Sequence, residues 1–538
     1  MKDKEKVFHS MGIYKLLYTL AGLLMVVAFL FNSPTEIFNG LITIIKSPCT
    51  LITDYIYLAN IGAAFFNAGL ICLLSTILSH SFNVVISGPG VAAVFTMTGF
   101  AFFGKNIFNT IPITIGVLIY AKIENTSRAS VILPALFGSA LGPLISEIAF
   151  DSNLSIVHSI ILSYLVGISI GIIMVPLSGT FLRFHQGYNL YNMGFTAGIV
   201  GMLYVGILRM FNVTIKSVNL VYPVNDIRII IFLYLLFISI FLLGFIKNNL
   251  SFHGYENIMY NSGRLATDFI SLDGLYQTMI NMGIMGLIAT SYIIIVGGKI
   301  SGPIIGGIFT VTGFSAFGKH PKNTIPILIG VFLASILNTV NPLSTSSLLA
   351  ALFGTTLAPI AGEFGFFRGI LAGFLHMAMV LNIGVVHGGV NLYNNGFSGG
   401  FVAGILVPVF SEMDNFLMRV RLKTMISNEE KKAKLIVSEI LSYFFMYDTK
   451  SIRIDSEFKD DKLIIIAEGM PTKTPQHLED MKRLINVRRS PQIEDYYANL
   501  LGWESDYNDI NLLGSMVDSG IISYDGKILS FYVERNLI

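Results

Sequence analysis

Residues 87–117, SGPGVAAVFTMTGFAFFGKNIFNTIPITIGV, return at 301–331 as SGPIIGGIFTVTGFSAFGKHPKNTIPILIGV. Two more blocks follow in the same order: ALFGSALGPLISE (135–147) with ALFGTTLAPIAGE (351–363), and HQGYNLYNMGFTAG (185–198) with HGGVNLYNNGFSGG (387–400). Three matched blocks in one order make the chain an internal duplication, so whatever one copy folds into, the other folds into as well. The copies cover 58–210 and 278–411, joined by an apolar helix at 228–247 and a polar stretch at 248–275.

Each copy is built of apolar runs near the length of about 20 residues that a helix needs to cross hydrocarbon. Fourteen such runs recur from 12–31 to 394–411, among them 83–103, 107–122 and 130–150 with their counterparts 302–318, 323–341 and 346–364. The whole chain is 53% hydrophobic and 13% charged, which excludes an ordinary cytosolic enzyme. Long apolar runs in place of short alternating ones exclude a barrel. The expected fold is therefore an all-α polytopic membrane protein of 12–14 transmembrane helices in two inverted repeats, with a small C-terminal cytosolic α/β domain. Its parts are an N-terminal membrane helix and connector (1–57), repeat 1 (58–210), a linker helix and polar loop (211–277), repeat 2 (278–411) and the polar tail (412–538). The first run, Gly12–Phe31, reads as an uncleaved membrane helix, since it is long and lacks a small-residue cleavage site.

Placing Lys and Arg at the ends of fourteen spans puts fourteen on one side and six on the other, a bias that predicts cytoplasmic termini at the cell membrane. Seven helix steps separate equivalent points of the copies, and an odd number inverts the second. In that arrangement Lys105 falls outside and its counterpart Lys319 inside. A re-entrant segment in each copy would make the repeats parallel instead.

The polar residues kept twice are the candidate solute contacts. Gly88-Pro89 and Gly302-Pro303 favour a fresh helix start inside the membrane, whose exposed N–H groups suit an anion or a carbonyl oxygen. A packing kink is the competing explanation. Thr96 and Thr98, with Thr310 and Thr312, lie just beyond these starts. Asn109 and Asn323 precede Pro112 and Pro326, where they either cap a helix or line a polar path. Glu147 and Glu363 are carboxylates in apolar helices, costly unless functional or at the water interface. Asn189 and Asn391, each beside a Tyr and a second Asn, offer uncharged donors and acceptors suited to a neutral polar solute, or else hold a loop. Cys49 and Cys72 read as packing residues, and His185 and His387 have no second ligand at metal spacing. No catalytic residue, metal site or cofactor is expected. The absence of a basic stripe argues against nucleic acid.

The tail, 412–538, holds more than half of the charged residues. It reads as a helix at Glu429–Tyr447, paired strands at Ser451–Ser456 and Lys462–Ala467, helices near Pro475–Asn486, Pro491–Leu501 and Ile510–Ser519, and a final hairpin of Ile521–Tyr524 and Ile528–Glu534. This order resembles the ATPase-type sandwich of bacterial anti-sigma factors and sensor kinases. Ala467-Glu468-Gly469 stands where that family carries its Asp-x-Gly, so a regulatory or partner-binding module without catalysis is expected.

The blocks SGPxxxxxFTxTGF, NTIP and NLYNxGF resemble a family of uncharacterised, internally duplicated bacterial membrane proteins, a domain of unknown function, over about residues 55–411. The resemblance implies a polytopic fold and brings no activity. Asn341-Pro342-Leu343-Ser344, followed by Leu348-Leu349-Ala350-Ala351, is similar to the Asn-Pro-x-Ser-Gly-Leu stretch of urea transporters. The run Asn391–Gly400 is similar to their Gly-Tyr-Asn-Gly-x-Leu-x-Gly. Thr345 replaces the glycine, and the first copy has Asn125-Thr126 where Asn-Pro would stand. The expected function is a transporter or channel for a small polar solute, with the lipid bilayer, a cytosolic protein bound by the tail and a second copy of the chain as further partners. The alternative is a membrane receptor signalling through the tail. An intramembrane enzyme fits worst, since neither HExxH nor GxSxG is present.

Overall fold

The computed structural model describes residues 2–536 except 153, 214, 216–217, 266, 338–340, 460–461, 477, 487–512 and 515. The chain divides into two compact units, Met1–Phe410 and Ser411–Ile538. Among the described residues ten helices are long and apolar enough to cross a membrane, and the apolar helices Ile107–Ile123, Gly302–Phe314 and Pro321–Leu337 are shorter.

The duplication is visible helix by helix. Repeat 1 runs through Ile61–Ser81, Gly88–Phe100, Ile107–Ile123, the pair Ile132–Gly138 and Gly142–Phe150, Ile156–Phe184 and Asn192–Met210. Repeat 2 runs through Leu275–Ile295, Gly302–Phe314, Pro321–Leu337, the pair Thr345–Gly354 and Ala358–Phe364, Phe366–Ile383, and the helix starting at Asn394. Gly88–Phe100 and Gly302–Phe314 each have 13 residues. At 1.5 Å per residue that is about 20 Å, short of the roughly 30 Å of hydrocarbon. The expected spans 83–103 and 302–318 are therefore half-helices: proline in the first turn starts each, and Gly104 and Gly318, at φ of +71° and +110°, lie in the turn that follows. The buried carbonyls of those turns need donors. Asn67 donates to the carbonyls of Ala101 and Lys105 at 2.7 and 2.9 Å, and Asn281 to those of Ser315 and Lys319 at 2.8 and 2.7 Å.

The next helix begins earlier than its proline suggests. Asn106 and Asn109 form a reciprocal cap that starts it at Ile107, leaving Pro112 inside. The Phe108 carbonyl, which Pro112 cannot reach with an N–H, is met by the Tyr164 hydroxyl at 3.4 Å. Pro326 likewise lies inside Pro321–Leu337.

The half-helices pack antiparallel. A Cβ on Gly99 would lie 2.7 Å from the Gly306 carbonyl oxygen, one on Gly313 2.6 Å from Phe95 Cβ, and one on Gly88 2.4 Å from the Ala316 oxygen. The Phe95 and Phe309 rings meet between them at 5.9 Å. Each contact has its repeat-swapped twin, which defines a pseudo-two-fold axis near Phe95 and Phe309, perpendicular to the helix pair. That is the relation that turns one copy over relative to the other.

The second unit contains an antiparallel sheet in the order Ile452–Lys459, Lys462–Gly469, Leu529–Asn536, Ser519–Tyr524. Alternate residues Leu463, Ile465 and Ala467 join Phe531 and Val533 in a core closed by Ile436, Ile440 and Phe444. Asp525 Oδ1 accepts from the N–H groups of Lys527 and Ile528, and Gly526 at φ +92° completes the turn. A helix forms at Leu478–Leu484. The helix expected over Pro491–Leu501, and part of that over Ile510–Ser519, lie outside the described residues.

Candidate functional site

The helix starts at Gly88-Pro89 and Gly302-Pro303 are occupied by the chain itself. Gly88 N–H donates to Asp268 Oδ1 at 3.0 Å, and Gly302 N–H donates to Asp54. Both aspartates also cap short helices of their own, Asp54 through Ile56 N–H and Asp268 through Ile270 N–H. Thr53-Asp54-Tyr55-Ile56 and Thr267-Asp268-Phe269-Ile270 are repeat equivalents. Each copy thus places its carboxylate on the half-helix of the other. These aspartates were not among the sequence candidates, although the matched Thr-Asp-aromatic-Ile pattern marks them.

Most of the duplicated polar side chains prove to be bonded locally. Thr98, Thr310 and Thr312 donate to the carbonyls of Val94, Gly306 and Ile308 in their own helices. Asn109 donates to the Gly104 carbonyl and Ser146, and Asn323 to the carbonyls of Gly318 and Ser262. Asn189 and Asn391 reach across the repeats, donating to the carbonyls of Gly396 and Gly194 at 2.9 and 3.2 Å while accepting from Tyr191 and Tyr393 N–H. The glutamates differ: Glu147 is 5% exposed with Oε1 unpartnered, whereas Glu363 is exposed. Thr96 Oγ1 faces the Tyr393 hydroxyl and has no further partner.

What the structure gathers where the copies meet is a set of rings, with Lys319 against two of them. Tyr191 packs on Phe314 and Phe353 at 4.5 and 6.2 Å, and Tyr393 on Phe100 and Phe137 at 4.6 and 6.2 Å. The two tyrosines lie 5.2 Å apart. Each tyrosine therefore serves the aromatic pair of the opposite copy. Lys105 and Lys319, assigned by charge counting to opposite surfaces, are both 0% exposed. They follow the half-helices directly and turn inward. Lys319 Nζ donates to Tyr191 OH at 2.5 Å and Thr355 Oγ1 at 2.6 Å, above the rings of Tyr191 and Phe314. Lys105 Nζ meets Ser139 Oγ, Met97 Sδ and the Leu136 carbonyl. Ser139 and Thr355 are equivalents, so both lysine amines sit at the break of the paired short helices.

Two repeat-equivalent cavities, each about 460 Å³, approach this cluster. One is lined by Leu133, Phe137, Asn192, Met193 and Leu265, with Tyr191, Tyr393 and Phe314 in its wall. The other is lined by the counterparts Leu349, Phe353, Asn394, Asn395 and Leu51. Pro89 and Asp268 border the first, and Arg209 the second.

Together these features define a multi-pass membrane protein with an internal two-fold. The chain belongs to the family described as a protein of unknown function, DUF1576, whose model matches residues 33–210 and 247–412. No curated protein and no solved structure matches the chain.

Proposed function

We propose that the membrane unit is a transporter or channel for a small polar solute, whose path runs between the two repeats through the aromatic cluster. The observation that carries this reading is the pair of equivalent cavities, one bordered by Phe137, Tyr191, Phe314 and Tyr393 and the other by Phe353, in a chain whose copies are turned over relative to each other. Inverted repeats with interrupted helices at matching positions are the pattern of alternating-access carriers. In this reading both termini are cytoplasmic at the cell membrane, and the Ser411–Ile538 unit is a cytosolic regulatory module that binds a protein partner. The test is solute uptake by proteoliposomes holding the full chain. Uptake well above stoichiometric binding supports passage, and saturable binding without uptake identifies a receptor instead.

A further inference from the structure

The path as described leaves two buried lysines unexplained. A charged amine within a membrane protein is costly and is ordinarily met by a carboxylate. Among the described residues neither Lys105 nor Lys319 has one within ion-pair distance; they find hydroxyls, a thioether and a carbonyl. The helix ends at Gly138 and Gly354 offer only about half a negative charge each. A second observation is independent of the lysines. Thr96 Oγ1 and Tyr393 OH, both fully or almost fully buried beside the same rings, face each other and find no further hydrogen-bond partner. Tyr393 lines the first cavity, and so do Tyr191 and Phe314, the two rings beneath Lys319 Nζ at 4.5 and 5.3 Å.

The balance of donors and acceptors decides what this junction can hold. The side-chain carbonyls nearest it, on Asn189 and Asn391, already accept the Tyr191 and Tyr393 N–H groups. What remains is donor-rich: the Lys319 amine, with two partners already, and the facing hydroxyls of Tyr393 and Thr96. An amide such as urea would bring more donors to a place short of acceptors. We propose that the junction is an anion site, taking a small monovalent oxyanion such as a short carboxylate. Its charge is balanced by Lys319, and its oxygens accept from Lys319 Nζ and Tyr393 OH. This rests on the reading of the junction as the solute path and narrows the solute.

The experiment uses the full chain with formate, urea and glycerol as probes, and gluconate to hold ionic strength constant. Thermal unfolding in detergent reads binding, and proteoliposome uptake reads passage. Formate should raise the melting temperature by about 2 °C over gluconate. Its uptake should exceed that of urea by about tenfold, and Lys319→Met should abolish both effects. Should Lys319→Met fail to fold, Tyr393→Phe decides. It removes only a hydroxyl whose one polar neighbour is Thr96 and should weaken the formate response about tenfold. Formate that stabilises without passing upholds the anion site and overturns transport. Urea or glycerol that passes while formate does neither overturns the anion site and leaves the path standing. No response to any probe overturns both, and a full formate response in folded Lys319→Met and Tyr393→Phe overturns the anion site.

Discussion

Asp268 and Gly88 stand 180 residues apart in the chain, yet the Asp268 carboxylate accepts the Gly88 N–H at 3.0 Å. Asp54 does the same for Gly302. A half-helix that begins inside the protein exposes donors and a positive dipole end, and an aspartate from the other repeat satisfies both. Neither half-helix start can therefore be displaced without undoing a contact between the copies.

Replacing Asp268 by Ala removes that acceptor and leaves a buried N–H unpaired. The expected loss is about 1–3 kcal/mol, read as a lower melting temperature of the detergent-purified chain. Asp268→Asn, which keeps an acceptor oxygen, should lose less. Equal stability of the Ala variant and the parent would show that the contact holds nothing.

Asp54 lies outside the apolar spans, and burial pushes its carboxyl up to about 6. The folded chain then binds this proton more readily than the unfolded one. The group's contribution to stability is lowest above pH 6 and rises as pH falls from about 6 towards about 4. Asp54→Asn should flatten the stability profile across that window, and an unchanged profile would assign the pH response to other groups.

Gly99 and Gly313 permit the antiparallel approach. An added methyl meets backbone or Cβ within 2.7 Å, so Gly99→Ala and Gly313→Ala should each cost about 1–3 kcal/mol. Gly22 and Gly179 have nothing within 4 Å of an added Cβ. Their Ala variants should be neutral or slightly stabilising, since helical glycine carries an entropic cost. Thermal unfolding of the four variants side by side gives the comparison.

Thr98 and Thr312 spend their hydroxyls on their own helices. Thr98→Val with Thr312→Val should change solute uptake by less than about twofold, because the lost bonds are local. A collapse of uptake would return these hydroxyls to the path.

The sequence made the architecture legible where the signal is local or repeated. The three matched blocks, the half-helix starts at Pro89 and Pro303, and the strands around Lys462–Gly469 all follow from patterns within a few dozen residues. Contacts across the copies left no such mark. That Asn189 bonds Gly396, or that Tyr191 packs on Phe314, depends on how two distant segments meet. Lys105 and Lys319 were misplaced for a different reason. Charge counting assumes that a cation near a helix end faces water, and here the end lies inside the protein. Glu147 and Glu363 match in sequence, but only Glu147 is enclosed.

The antiparallel meeting of the half-helices at Phe95 and Phe309 has a consequence for motion. If the two copies trade conformations, the molecule becomes itself viewed from the opposite compartment. A form with the Pro89 cavity wide and the Arg209 cavity narrow implies a counterpart with those widths exchanged, reached with the same set of contacts. Where the copies differ, as at Met97 against Val311 beside the buried lysines, the two forms cease to be equal in energy. In the transport reading proposed above, such mismatches, rather than the shared scaffold, would set which of the two forms is favoured.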